Sequence, residues 1–153
     1  LDLGSSPGGW SQVASKLITS GKILSIDIKG MYPIENVKFL KCDILDNETE
    51  NKIINFFKGK LDVIISDIAA DTTGNKSLDS IRTNQLCTEV LNLSSKILKP
   101  KGVLVSKLFM GDDFLEVKNL AKSMFSSVNF FKPESSRDES KETYIHCEIL
   151  KTL

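Results

Sequence analysis

The sequence predicts an α/β domain built on a mostly parallel sheet, and three observations carry that expectation. Short apolar runs of strand length alternate with helix-length stretches from one end to the other. A glycine-rich turn, Gly4-Ser-Ser-Pro-Gly8-Gly9, joins the first strand to the first helix. The last two strands have no helix between them, which predicts an antiparallel hairpin at the sheet edge. At 153 residues and 41% hydrophobic, the chain suits one domain over residues 1–153 with a filled core.

The elements follow in order. Leu1-Asp-Leu3 reads as the end of a buried strand, and the chain opens inside it with no initiating methionine. Further natural residues are therefore expected upstream of Leu1. The first helix is expected over residues 9–19, stopping at Gly21, and residues 22–27 form the second strand. A turn through Lys29-Gly-Met-Tyr-Pro33 leads to a short third strand at residues 37–40. Residues 48–58 read as a helix, with Ile53, Ile54, Phe56 and Phe57 on or near its buried side. The fourth strand, residues 61–67, has the apolar centre of a parallel strand covered on both faces. A polar loop over residues 69–80 precedes a long helix from about Asp79 to Leu98. The fifth strand is Val103-Leu-Val-Ser-Lys-Leu-Phe109, and residues 113–125 are helical. Strands at residues 128–132 and 142–150 flank a charged, serine-rich loop.

Bulk properties narrow the function classes. Twenty basic and twenty acidic residues leave no net charge, whereas a free-standing nucleic-acid binder is usually basic. Any RNA contact must then come from a local patch or a further segment. Lys132, Arg137 and Lys141 of the last loop are candidates, diluted by Glu134, Asp138 and Glu139. Cys42, Cys87 and Cys147 are odd in number and widely spaced, which favours reduced thiols over disulfides or zinc and predicts a cytoplasmic protein. His146 is the one histidine, so no His-based triad or metal site is expected, and its strand-like context favours a packing position. No segment has the length of a membrane span. A monomer is the expected state.

In doubly wound sheets, ligands sit beyond the carboxyl ends of the strands, near the point where strand order reverses. Gly4, Gly8 and Gly9 let a ligand approach the main chain there. A dinucleotide fingerprint starting at Gly4 would need glycine at position 6, where Ser6 stands, so a compact nucleoside is favoured over a pyrophosphate. Three aspartates fall at successive strand ends around this loop. Asp27 is placed to accept ribose hydroxyls, Asp43 an adenine amino group, and Asp67 a cationic methionine end. Each alone could be a turn or cap residue. Trp10 either packs beside the ligand or anchors the first helix. Lys107 interrupts an apolar run at a strand end: it either snorkels to solvent or is desolvated beside carboxylates. Burial favours the neutral amine and carboxylates favour the ammonium, so both influences count.

With these residues in view, Asp2-Leu-Gly-Ser-Ser-Pro-Gly-Gly-Trp-Ser-Gln12 resembles the cofactor loop of the FtsJ/RrmJ-type methyltransferases, which modify ribose 2′-hydroxyls of RNA. The likeness continues through Ser66-Asp67, Val105-Ser-Lys107-Leu-Phe, and residues 132–144, covering essentially the whole chain in order. It implies a Rossmann-like S-adenosylmethionine (SAM)-dependent methyltransferase fold, a seven-stranded sheet with the closing hairpin. It also implies SAM as cofactor, held by Gly8, Trp10, Asp27, Asp43 and Asp67. The implied substrate is a uridine ribose of ribosomal RNA in the large ribosomal subunit. The family uses a Lys-Asp-Lys-Glu tetrad, of which Asp67, Lys107 and Glu142 would be the last three members, with Lys107 as proton acceptor. Its first lysine precedes the cofactor loop, so in this sequence it would lie upstream of Leu1. A second departure is Ile68-Ala-Ala-Asp71, where relatives tend to have Met-Ala-Pro-Asn.

The resemblance implies displacement at the sulfonium methyl by a 2′-oxygen held in line with the S–CH3 bond, with positioning supplying much of the rate and no metal required. Two other readings make distinct predictions. A nicotinamide-dependent oxidoreductase would bind NADH, against which Ser6 and the closing hairpin argue. A non-catalytic RNA- or ribosome-binding relative would keep the fold without turnover.

Overall fold

In the computed structural model, which describes residues 1–152, seven strands form one sheet in the order β3-β2-β1-β4-β5-β7-β6. The elements are β1 (Asp2–Leu3), α1 (Gly9–Leu17), β2 (Ile23–Asp27), β3 (Val37–Lys41), α2 (Asn47–Phe57), β4 (Leu61–Ser66), α3 (Lys76–Ile97), β5 (Leu98–Phe109), α4 (Phe114–Met124), β6 (Phe125–Phe131) and β7 (Glu142–Leu150). The first five strands pair in parallel, while β7 runs antiparallel to both β5 and β6. Strand order reverses between β1 and β4, so the crevice beyond their carboxyl ends is the switch point of the sheet. The expected hairpin forms, with β6 as its outer strand and β7 inserted between β6 and β5.

The core is the apolar interior of this sheet together with the helices laid on it. Leu3, Leu24, Ile26, Ile64, Leu104, Leu108 and Ile145 from the strands meet Ile53 of α2, Val90 and Leu91 of α3, and Val117 and Ala121 of α4. Helix α3 packs on β5 and on α4, and α1 packs on β2. Cys87 and Cys147 lie in this interior as free thiols, and burial pushes them up to about 11 and about 12. No helix among the described residues is long and apolar enough to cross a membrane.

Most boundaries fall within two residues of the sequence expectation, and the differences have local causes. Helix α3 starts at Lys76 rather than Asp79, because the Asn75 side chain accepts hydrogen bonds from Ser77 N (3.1 Å) and Leu78 N (3.2 Å) and caps it. Asp79 instead accepts from Thr73 N and Thr73 Oγ1, folding the preceding loop back on the first turn. Strand β5 begins at Leu98, which pairs with Leu61 before a register shift restores pairing at Val103 opposite Val63. Strand β6 begins three residues early, since Phe125 is buried and pairs with Leu150. In α2, Ile53 is buried, while Ile54 is 40% exposed rather than inward-facing.

Two buried polar contacts hold the carboxyl edge in shape. Below the glycine-rich turn, Ser11 Oγ donates to Asp2 Oδ2 at 2.6 Å and lies 2.6 Å from Ser25 Oγ, tying α1 to β1 and β2. Asp2 is 1% exposed, and its Oδ1 has no partner among the described residues. Burial raises its carboxyl from the usual 3.8 to about 6, against the opposing effect of the Ser11 hydrogen bond. At the far end of β5, the buried Asn84 of α3 accepts from Phe109 N at 2.8 Å and donates to Phe109 O at 3.0 Å and to Asp113 Oδ1 at 2.7 Å.

Folded Asp2 holds a proton that the unfolded chain has already released, so its contribution to stability falls as pH rises from about 4 to about 6. Above that window the cost is fully present, on the order of 2–3 kcal/mol from two pKa units. Urea denaturation across this range should show Asp2→Asn gaining stability relative to the parent as pH rises, and parallel curves would refute the assignment. Asn84→Ala strands both polar groups of Phe109 and should lower stability by about 2–3 kcal/mol in the same measurement.

Candidate active site

Asp27, Asp67 and Lys107 stand at or near strand ends because the parallel strands present their carboxyl ends to one edge of the sheet, and Glu142 reaches the same edge from the amino end of antiparallel β7. After β1 the backbone turns sharply at Gly4 (φ 72°), where a Cβ would come within 2.6 Å of the Ile68 side chain and 2.9 Å of its backbone. Only glycine allows this close approach of the β1 and β4 loops. Gly8, at φ 120°, caps α1, and a Cβ there would press on Ile34 and Met31. The turn is held at the top by Asp27, whose Oδ2 accepts from Ser6 N at 2.8 Å and whose Oδ1 accepts from Lys29 N at 2.7 Å. Two backbone donors thus fix this carboxylate, and each oxygen keeps a further lone pair.

Beneath Gly4 and Asp27 opens a cleft of about 780 Å³. It is bounded by Gly4, Ser6 and Asp27 on one side, Asp43 to Leu45 at one end, and Asp67 to Asp71 on the other side. Asp43 holds its loop with an Asx-type bond from Leu45 N to Oδ1 (2.9 Å), while its carbonyl accepts from Thr49 Oγ1 of α2. Helix α3 supplies Arg82, Gln85, Leu86 and Glu89. These four were missed from the sequence, although their i, i+3, i+4, i+7 spacing marks a single helix face. Lys29 and Asp71, from opposite lips, meet at 3.3 Å.

The cleft is acidic, with five carboxylates (Asp27, Asp43, Asp67, Asp71, Glu89) against two bases (Lys29, Arg82). Such walls suit a cationic ligand with hydroxyl and amino donors, and they oppose the pyrophosphate of a nicotinamide dinucleotide. Ile26, Ile28, Ile44, Ile68 and Leu86 give the same cleft apolar surface against which a flat base can lie. Gly8, Gly9 and Trp10 are not among its walls: Gly8 is buried under the loop and Gly9 is exposed at the start of α1.

Asp67 joins this cleft to a second group of side chains. Lys107 Nζ lies 3.0 Å from Asp67 Oδ1 and 3.2 Å from Glu142 Oε2, and the lysine side chain is only 12% exposed. The three residues come from neighbouring strands: Asp67 follows β4, Lys107 is in β5 and Glu142 opens β7. Lys107 is therefore paired and largely desolvated rather than snorkelling. Trp10 packs against Tyr144, with ring centroids 5.6 Å apart, and so borders this group. Among the basic residues of the last loop, Lys132 Nζ donates to the carbonyls of Asp138 and Ser140, which ties that loop back to β6.

Comparison with known proteins agrees with this architecture. The profile of the FtsJ-like methyltransferase family matches residues 1–149. A relative from Pelagibacter ubique, Ribosomal RNA large subunit methyltransferase E, is 48% identical over 99% of this chain and 74% of its own length. The protein of the same name from Rickettsia akari is 46% identical over 95% of this chain and 66% of its own length. The chain thus spans roughly two thirds to three quarters of these relatives. Among solved structures, a Plasmodium falciparum chain described as a ribosomal RNA methyltransferase superposes with a TM-score of 0.86 at 28% identity, covering 97% of this chain and 84% of that one. Human methyltransferase-like protein 13, solved in complex with SAH, shares the fold alone, with a TM-score of 0.72 at 17% identity over 97% of this chain and 70% of its own. With the glycine-rich turn, the acidic cleft and the Asp67–Lys107–Glu142 group all in place, the chain belongs to the FtsJ-like methyltransferase family.

Proposed function

We propose that this protein transfers a methyl group from SAM to a ribose 2′-hydroxyl of large-subunit ribosomal RNA, with a uridine as the acceptor. The observation that carries the reading is the placement of Lys107, paired with two carboxylates at the end of an acidic nucleoside-sized cleft. The names of the Pelagibacter and Rickettsia relatives support the substrate class.

The residues fit the cofactor. Asp27 would accept from its ribose hydroxyls, Asp43 from its adenine amino group, and Asp67 would face its cationic end. Gly4 leaves the cleft open where a side chain would collide with Ile68. Gly8, Gly9 and Trp10, at the start of α1, would hold the cofactor from the glycine-rich loop beside the cleft. When bound, SAM supplies an electrophilic methyl group on a sulfonium.

The protein must then bring a weak nucleophile to that methyl. A ribose hydroxyl is barely ionised at neutral pH, so a nearby base that takes its proton as the new bond forms lowers the barrier. Lys107 Nζ is the group in position to do so. In the neutral amine the two N–H groups would donate to Asp67 and Glu142, leaving the lone pair to take the hydroxyl proton as the O–CH3 bond forms and the S–CH3 bond breaks. Because most of the lysine is out of water, the amine stays where the carboxylates hold it.

Neutral net charge favours an assembled large subunit over free RNA as the substrate, since protein contacts and shape can then share the work of recognition. A monomer acting in the cytoplasm is the expected form of the protein. Lys107→Ala should abolish methyl transfer while SAM affinity, measured by calorimetry, stays within a few-fold of the parent. Collapse of SAM binding in the variant would show that Lys107 is structural and would remove it from the chemistry.

A further inference from the structure

We propose that Tyr144 is a positioning residue for methyl transfer: its clamped hydroxyl holds Asp67 and limits how tightly the carboxylates grip Lys107. The inference rests on Lys107 being the proton acceptor. Tyr144 stands directly opposite Lys107 in the antiparallel register of β5 and β7, so the two side chains are neighbours on one face of the sheet. Its hydroxyl donates to Asp67 Oδ1 at 2.8 Å, the same oxygen that Lys107 Nζ meets at 3.0 Å. The other carboxylate in reach, Glu142 Oε1, is at 3.5 Å. A phenol has one proton to donate, and the shorter contact assigns it to Asp67.

The ring cannot swing away. It lies between Trp10, at 5.6 Å between centroids, and Phe131, stacked at 5.7 Å with 22° between the planes. Tyr144 is 7% exposed. Burial first, then the hydrogen bond and charge of Asp67, raise its hydroxyl far above the ordinary phenol range, so it remains a proton donor wherever the protein is folded. Lys107, Asp67, Tyr144 and Glu142 therefore form a closed polar group in which one carboxylate oxygen is shared by two donors.

Sharing has a chemical consequence. A proton donated to Asp67 spreads part of its charge onto the phenol and weakens its attraction for an ammonium. Among the described residues, the charged groups facing Lys107 are Asp67 from the end of β4 and Glu142 from β7; α1 brings the uncharged Trp10 beside them, and Asp2 of β1 couples to Asp67. Asp67 and Glu142 each hold the lysine amine by charge and by hydrogen bond. Among the described residues, Tyr144 is the neighbour whose side chain donates to Asp67 without adding a positive charge that would compete for the site.

Tyr144→Phe keeps the ring stack and deletes only the hydroxyl. In the natural full-length protein, single-turnover methyl transfer from SAM to large ribosomal subunits would be measured across pH 6 to 10, with SAM affinity measured beside it. The expected result is unchanged SAM affinity and an acid limb of the rate profile moved to higher pH. A displacement of one pH unit lowers the rate at neutral pH roughly tenfold, with recovery toward the parent rate in alkali. An unmoved profile, whether at full rate or uniformly lowered, would overturn the positioning role. A parent protein that methylates no RNA would instead sink the functional reading and this inference with it, so the two failures are distinguishable.

Discussion

The carboxyl edge of this sheet is organised by one constraint: a largely desolvated lysine needs its charge answered on the spot. Lys107 is answered twice, by Asp67 at 3.0 Å and Glu142 at 3.2 Å. Removing one partner of such a buried pair leaves an uncompensated charge, which costs more than an exposed ion pair gains. The three residues are far apart in sequence, and only the strand order β4-β5-β7 brings them side by side. The antiparallel entry of β7 is the decisive step. A seventh strand added in parallel would have carried Glu142 to the opposite edge of the sheet.

The same topology divides the edge into two workplaces that share Asp67. On one side lies the acidic cleft between the β1, β2, β3 and β4 loops, closed from below by α3. On the other lies the Lys107 group, walled by Trp10, Tyr144 and Phe131. A cationic cofactor seated in the cleft and an alcohol brought to the lysine would meet at Asp67. The buried hydrogen bonds of Asp2 and Asn84 serve this arrangement from below. One ties β1 and β2 to the first helix, and the other fixes the strand end just beyond Lys107.

How much of this was legible in the sequence depended on distance along the chain. Strand ends were readable because each apolar run stops at a polar residue, as at Ser25-Ile-Asp27 and Ile65-Ser-Asp67. Lys107 stood out because a lysine breaks an apolar run, yet its state turned on partners 40 and 35 residues away, which periodicity cannot supply. Tyr144 was invisible as more than a strand residue for the same reason, since its partner Asp67 is 77 positions distant. Arg82, Gln85 and Glu89 share a helix face, but which face meets the cleft is decided by how the crossover from β4 to β5 packs. The β5 extension at Leu98 was hidden because Lys99-Pro-Lys-Gly102 reads as a turn, and the register shift beside it is a tertiary adjustment. The Asn75 cap was readable in principle; Asp79 was a competing start signal three residues inside the helix.

The most direct measurement is transfer of labelled methyl from SAM to large ribosomal subunits that lack their ribose methylations, beside the same RNA free of protein, followed by digestion to nucleosides. Label is expected on a 2′-oxygen, with faster transfer to the intact subunit than to free RNA. Label on a base, or on no nucleoside at all when the natural full-length protein is used, would contradict it.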